Sequence, residues 1–326
     1  MKARESSVNV DTVLSTVTYH HYLPGIDSGL RSYIWEESDV ISFDELIISW
    51  NVMRPQYGEF KISISVKIGE MWSPWFIYAC WGSSGQKGGN VQATRFPLQI
   101  KQDILELIDG QKGVGFRVRI EASEGAHLEE FYSIHVCASS ITDIIPEKTT
   151  IANDRIDLQI PLISQMMLAH PRHRDMCSAA STSAVVSYLL NKNRIDPISF
   201  ALQSCDEASD IFGNWVLNTA HASAVLGKDW HCWVQRLTGF DEIYSRLQAN
   251  IPVVVSVKGP LPGSALPYNQ GHLLAVKGYE PKQKRVLCMD PAFPKNEATN
   301  VSYRLNDFLE AWSKRQCVAY LFEKSE

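Results

Sequence analysis

No apolar run in this 326-residue sequence approaches the roughly 18 residues that a membrane span requires. The longest candidates, such as Ile251-Pro252-Val253-Val254-Val255-Ser256-Val257, have the length of a strand. Neither sign of charge is in large excess. The 31 Lys and Arg against 36 Asp and Glu leave a net −5, so there is no general basic field to hold nucleic acid. The seven cysteines are odd in number and scattered, and none forms a Cys-x-x-Cys pair, which argues against a zinc ribbon or a disulfide framework. Reduced thiols, mostly buried as small hydrophobes, are expected instead. With 45% hydrophobic and 21% charged residues the chain is too apolar for a disordered tail and too mixed for a repeat fibre. Met1-Lys2-Ala3-Arg4-Glu5-Ser6-Ser7 is polar and has no apolar segment behind it, so a secretory signal is not expected. The setting that follows is cytoplasmic, with export by a leaderless route left open.

What is present changes character near residue 145. Before it, short segments of Ile, Val and aromatics are separated by Gly, Ser and Pro. Glu59 to Ile68 alternates polar and apolar residues almost perfectly, the period of a half-buried antiparallel strand. Seven or eight such strands predict an antiparallel β-sandwich over residues 1–145. Gly82 to Gly89 lacks the Gly-Lys-Ser/Thr ending of a phosphate loop and reads as a flexible turn. Residues 146–157 read as a charged linker. From 158 to 326, helices come first (177–190, within 204–226, 240–249) and strands later (253–257, 273–278, 286–289, 318–322). This is α+β order rather than alternating βαβ.

Four residues of the second half form a constellation. Cys177 opens a helix, where unsatisfied N–H groups and the positive end of the dipole favour a thiolate. His272 follows Gly271 at the entry of an apolar strand, and Asp290 ends another strand and is fixed by Pro291. Gln165 lies upstream of the cysteine. A thiol beside an imidazole is activated as a nucleophile, and the imidazole then serves as acid to the leaving group. A carboxylate on its second nitrogen fixes the tautomer. A side-chain amide, with a backbone N–H at the helix start, can receive an oxyanion.

The motifs Ile160-Pro161-Leu162-Ile163-Ser164-Gln165-Met166, Cys177-Ser178-Ala179-Ala180-Ser181-Thr182-Ser183, Gly213-Asn214-Trp215, Gly271-His272-Leu273-Leu274-Ala275-Val276 and Asp290-Pro291-Ala292 resemble the C39-like peptidase family of the papain-like clan. Phe43 to Asn51 and Trp72-Ser73-Pro74-Trp75 are similar to a bacterial two-domain subgroup with a β-rich N-terminal region. Many relatives carry Cys-Gly-Pro where this chain has Cys177-Ser178-Ala179. The resemblance implies a papain-like cysteine peptidase domain over 158–326, with Cys177 as nucleophile, His272 as acid and base, Asp290 as orienter and Gln165 as oxyanion donor. It implies hydrolysis of a peptide or isopeptide bond through a thioester, with no metal and no organic cofactor. Two alternatives stay open: an acyltransferase passing the same acyl group to an amine, and a catalytically silent binding protein.

Trp215, Asn214 and Asn218 are expected to line the substrate cleft, with the helix-start turn as the competing structural role. Trp72, Trp75 and Trp81, three of five tryptophans clustered in the first half with Trp35 and Trp50, would suit a sugar-stacking platform or a core. A carbohydrate or protein ligand for the β-rich half is the corresponding partner. His231 and Cys232 point to opposite faces of a strand and should not pair. His170 and His173 flank Pro171 and lack a third ligand, so they are read as the rim of the cleft rather than a metal site. Lys258 to Gln270, just before His272, is a candidate lid.

Overall fold

The computed structural model describes residues 15–23, 25–27, 29–93, 95–141, 153–191 and 194–325. Residues 146–152 of the expected linker lie outside the described residues, as do Met1 to Ser7.

The first half contains β1 (Thr16–Tyr22), β2 (Ser32–Glu37), β3 (Glu45–Val52), β4 (Glu59–Ile68), β5 (Met71–Trp72), β6 (Phe76–Gly82), β7 (Gln86–Gln92), β8 (Leu98–Gln102), β9 (Ile104–Leu107), β10 (Gly115–Ala122) and β11 (Phe131–Ser139). They join in one antiparallel path, β1-β11-β3-β9-β8-β7-β6-β4-β10-β2, with β5 beside β4. The alternation in β4 buries Phe60, Ile62, Ile64 and Val66. The path curls so that distant strands meet: Phe60 of β4 packs edge-on against Phe131 of β11, and Trp50 of β3 against Trp81 of β6. The buried Tyr78 hydroxyl ties the same faces, accepting from Ile48 N and donating to Asp103 O.

The glycine-rich stretch is not a loose turn. Gln86 to Gln92 is strand β7, because Gly88 and Gly89 press against other chain segments. A Cβ at Gly88 would lie 2.8 Å from both Asn214 Nδ2 and Asp206 Oδ2. Gly88 therefore allows the strand to dock on the second half, and Gly89 lets it lie close to Ile77, Tyr78 and Ile100 of its own half.

That half contains β12 (Ile156–Asp157), α1 (Cys177–Leu190), α2 (Pro197–Ser204), α3 (Trp215–Leu226), β13 (Trp230–Arg236), α4 (Phe240–Gln248), β14 (Val253–Val257), β15 (His272–Glu280), β16 (Arg285–Met289), β17 (Asn300–Arg304), α5 (Leu305–Ser313) and β18 (Val318–Lys324). The strands form a second antiparallel sheet ordered β13-β18-β14-β15-β16-β17, with β12 beside β15. The architecture is mixed α and β with sheet predominant.

The two sheets meet at an edge. β13 ends the second sheet and would leave backbone groups unpaired, but side chains of β3 complete it. Asn51 accepts from Cys232 N at 2.7 Å and donates to Cys232 O at 3.0 Å, while Ser49 Oγ accepts from Val234 N at 2.9 Å. Beside them Arg236, 1% exposed, pairs with buried Glu45 at 2.5 Å. A single hydrophobic core runs through both halves.

Candidate active site

Cys177 is the first residue of α1 and is half-buried. Its helix has no side-chain cap, since the preceding position is Met176, so the first-turn N–H groups are not consumed by a capping oxygen. The β14–β15 pairing brings His272, the first residue of β15, to hydrogen-bonding reach of the thiol. Burial pushes the Cys177 thiol up, but the imidazole's hydrogen bond and charge, with the backbone N–H groups of Leu273 and Ser178, outweigh it and leave the thiol below its ordinary value.

Asp290, immediately after β16, is fully buried and accepts from four donors. His272 Nε2 donates to its Oδ1 at 2.8 Å, leaving Nδ1 to face the thiol. Ala292 N also donates to Oδ1, at 3.0 Å. Oδ2 accepts from the Tyr268 hydroxyl at 2.8 Å and the Tyr303 hydroxyl at 2.6 Å. Burial raises the cost of the carboxylate's charge, yet His272 and the two tyrosines hold it below the usual carboxylate range. Burial likewise opposes the charged form of His272, but the charge and hydrogen bond of Asp290, aided by Cys177, push it up to about 10. The resting pair this favours is thiolate and imidazolium.

Tyr268 has a second contact: its ring stacks on the imidazole with centroids 4.0 Å apart and planes inclined by 16°. It lies in the 258–270 segment expected to be a lid. The base of that segment is closed on itself, with Gly259 N and Gly271 N both donating to Tyr268 O. Tyr268 and Tyr303 were not legible as site residues. Neither position carries a motif, and only the tertiary structure brings β17 and the loop to Asp290.

Gln165 lies in the same corner, in a one-turn helix over Gln165–Met167, and its backbone N–H donates to Pro291 O at 2.9 Å. Its side-chain Nε2 donates to Arg174 O at 2.6 Å, and its Oε1 is buried without a partner.

A cleft of about 560 Å³ opens onto Cys177 and His272. Its walls come from both halves: Asp103 and Ile104 of the β-rich half face Phe212, Trp215 and Arg315. Ser256, 1% exposed, also lines it, and its hydroxyl has no partner. Trp215 is on this wall. Asn214 and Asn218 do not offer polar atoms to it. Both are wholly buried; Asn214 caps α3 at Leu217 N and donates to Asp206, and the Asn218 amide donates to Phe212 O and Asn214 O. Their amides brace the turn that carries Phe212 and Trp215.

The other candidates resolve into structural contacts. Trp81 is fully buried, while Trp72 and Trp75 are half-buried beneath Arg117 and Arg119, so the three do not share one open face for a sugar ring. His231 Nδ1 bonds Ser133 Oγ, and Cys232 is buried away from it. His170 Nδ1 accepts from Arg172 N of its own turn. Among the described residues no helix is long and apolar enough to cross a membrane.

Comparison with known proteins bears on this geometry. A solved structure described as a C39-like peptidase from Bacillus anthracis is similar, with 17% identity, a TM-score of 0.41, and coverage of 53% of this chain and 100% of that one. No curated protein is matched. The model of the Peptidase_C39 like family matches residues 157–320, half of the chain and the whole span from Gln165 to Asp290. The chain belongs to the C39-like peptidase family.

Proposed function

We propose that this protein is a thiol-dependent hydrolase of peptide or isopeptide bonds, with Cys177, His272 and Asp290 as its working residues. The observation that carries the reading is the chain of contacts Cys177–His272–Asp290, ending on a buried carboxylate that two tyrosines hold ionised. The Cys177 thiolate attacks the carbonyl carbon, and the carbonyl electrons move to oxygen. In this reading the first-turn N–H groups of α1 and the Gln165 amide receive that oxyanion. Collapse breaks the C–N bond, His272 gives its proton to the departing amine, and a thioester remains. Water then attacks the thioester, His272 takes the water proton, and Cys177 leaves as thiolate beside the reformed imidazolium. Asp290 stays ionised throughout and fixes the ring. The unit over 158–326 is papain-like in this reading. The unit over 1–145 is a β-sandwich in this reading, and its Asp103 and Ile104 line one wall of the cleft.

The test is digestion of a proteome-derived peptide library by the intact protein and by Cys177→Ser, with products sequenced by mass spectrometry. Cleavage by the wild type alone, with an acyl adduct at Cys177 on acid quench, supports the reading. Products carrying an added amine in place of water would make the protein an acyltransferase. No turnover and no adduct would leave the fold as a silent binding module.

A further inference from the structure

Three Lys and Arg side chains line the cleft, and two of them have carboxylates beside them. Arg172 pairs with Asp175 and with Asp210, and Lys101 lies 3.9 Å from Glu106. Arg315 differs. It sits in the turn after α5 and lines both the catalytic cleft and an adjoining cavity of about 440 Å³. Its guanidinium runs along the backbone of Gly271, the neighbour of His272, so closely that a Cβ at Gly271 would collide with it. One guanidinium nitrogen donates to Gln270 O at 2.7 Å. Its Nε is buried without an acceptor, and among the described residues Arg315 has no carboxylate partner.

The turn carrying this cation is held from beneath. Arg236 Nη1 donates to Arg315 O and Gln316 O, both at 3.0 Å, and Arg236 is in turn paired with Glu45 of β3. The β-rich half thus fixes the backbone that presents Arg315. A guanidinium whose backbone is anchored, which is partly desolvated and not neutralised, and which stands one residue from the imidazolium, favours an anion in front of it.

We propose that Arg315 forms a carboxylate-binding subsite, so that the preferred substrates present a carboxylate close to the scissile bond. That carboxylate is either the free C-terminus of a peptide or an Asp or Glu side chain. The inference deepens the hydrolase reading and rests on it for the word substrate, but the anion subsite itself is testable without turnover.

Two measurements separate the cases. The first is the rate of alkylation of Cys177 by iodoacetate relative to iodoacetamide, assigned by mass spectrometry, in wild type, Arg315→Met and Arg315→Lys. The carboxylate preference should fall about ten-fold in Arg315→Met, the scale of one charged hydrogen bond, and be largely kept in Arg315→Lys. An unchanged preference in Arg315→Met, with the fold verified by circular dichroism, overturns the subsite whether or not any peptide is cut. The second compares cleavage by the wild type of peptides with free and amidated C-termini, and with Glu and Gln at each position. A loss of about ten-fold on amidation identifies the terminus as the source, and the same loss on Glu-to-Gln exchange identifies the side chain. Cleavage indifferent to both leaves the hydrolase standing and removes the subsite. An iodoacetate preference that depends on Arg315, in a protein that cuts nothing, leaves the subsite standing and removes the hydrolase.

Discussion

Asp290→Asn is the sharpest perturbation of the site. In the native protein the carboxylate overrides burial and lifts His272 from an ordinary 6.5 to about 10. That rise corresponds to roughly 5 kcal/mol of preference for the charged ring, at about 1.36 kcal/mol per pH unit. Removing the negative charge removes most of this preference while burial remains, so the imidazole should fall to its ordinary value or below. Cys177 then loses its cation at neutral pH, and its thiol should rise to the ordinary 9.0 or above. Iodoacetamide labelling of Cys177 between pH 4 and 11 reads both groups. The wild type should show a rise below pH 9 and a second rise near 10 as His272 loses its proton and frees a more nucleophilic thiolate. Asp290→Asn should show a single rise near or above 9, and labelling at pH 7 should drop by ten-fold or more. Some destabilisation is expected as well, about 1–3 kcal/mol, because an amide nitrogen cannot accept: at Oδ2 it leaves both tyrosine hydroxyls without an acceptor, and at Oδ1 it leaves His272 Nε2 and Ala292 N without one. A folded variant with the wild-type labelling profile would refute the electrostatic reading of the site. Linkage gives a matching stability profile. His272 is raised by folding, so its contribution is complete below about 6.5 and is lost as pH climbs through about 10. Asp290 is lowered, so its contribution is complete above the ordinary carboxylate range and is lost as pH falls through its depressed value.

Three further outcomes follow from the same geometry. Tyr303→Phe removes a 2.6 Å hydrogen bond to Asp290 and should cost about 1.5–3 kcal/mol in denaturant melts while moving the acid limb of Cys177 labelling upward; an unmoved limb would make Tyr303 a packing residue only. Arg236→Met leaves buried Glu45 without its cation and should destabilise the protein by about 3–5 kcal/mol, a loss that Glu45→Leu added to it should partly restore; full stability in the single variant would show that water reaches the pair. Asp103, pushed up to about 7 chiefly by burial, binds its proton more tightly when folded, so stability should decline as pH rises from about 4 to about 7. Asp103→Asn should flatten that decline in Tm measured against pH, and an unchanged slope would place the titration elsewhere.

Local pattern carried much of this protein. The alternation in Glu59 to Ile68 is β4 residue for residue, and the small apolar run from Cys177 to Leu190 is α1. Those patterns are legible because they are set by neighbours within one element, although Ser63 and Ser65 on the expected outer face of β4 are buried by the tertiary structure as well. The short helix over Pro197–Ser204 was not read, although Asp196 caps it and Pro197 opens it, because eight residues carry too little periodicity. Nor was strand β17, which holds Tyr303.

Cys177, His272 and Asp290 each had a local signature: a helix start, a Gly-His before an apolar strand, a strand ending in Asp-Pro. Their supports had none. Tyr268 and Tyr303 reach Asp290 from a loop and from an outer strand, Arg315 reaches the cleft because Arg236 and Glu45 anchor its turn, and Asn51 reaches β13 across 181 residues of sequence. The sequence by itself determined which segments become helix and strand and which residue types can do thiol chemistry, since these depend on neighbours within a few positions. Only the tertiary structure decided that Asn214 and Asn218 are braces rather than cleft residues, that Arg315 of the cleft has no carboxylate partner among the described residues, and that the carboxylate has two tyrosine donors. Those facts depend on which distant backbones come within hydrogen-bonding distance, and a local pattern holds no information about that.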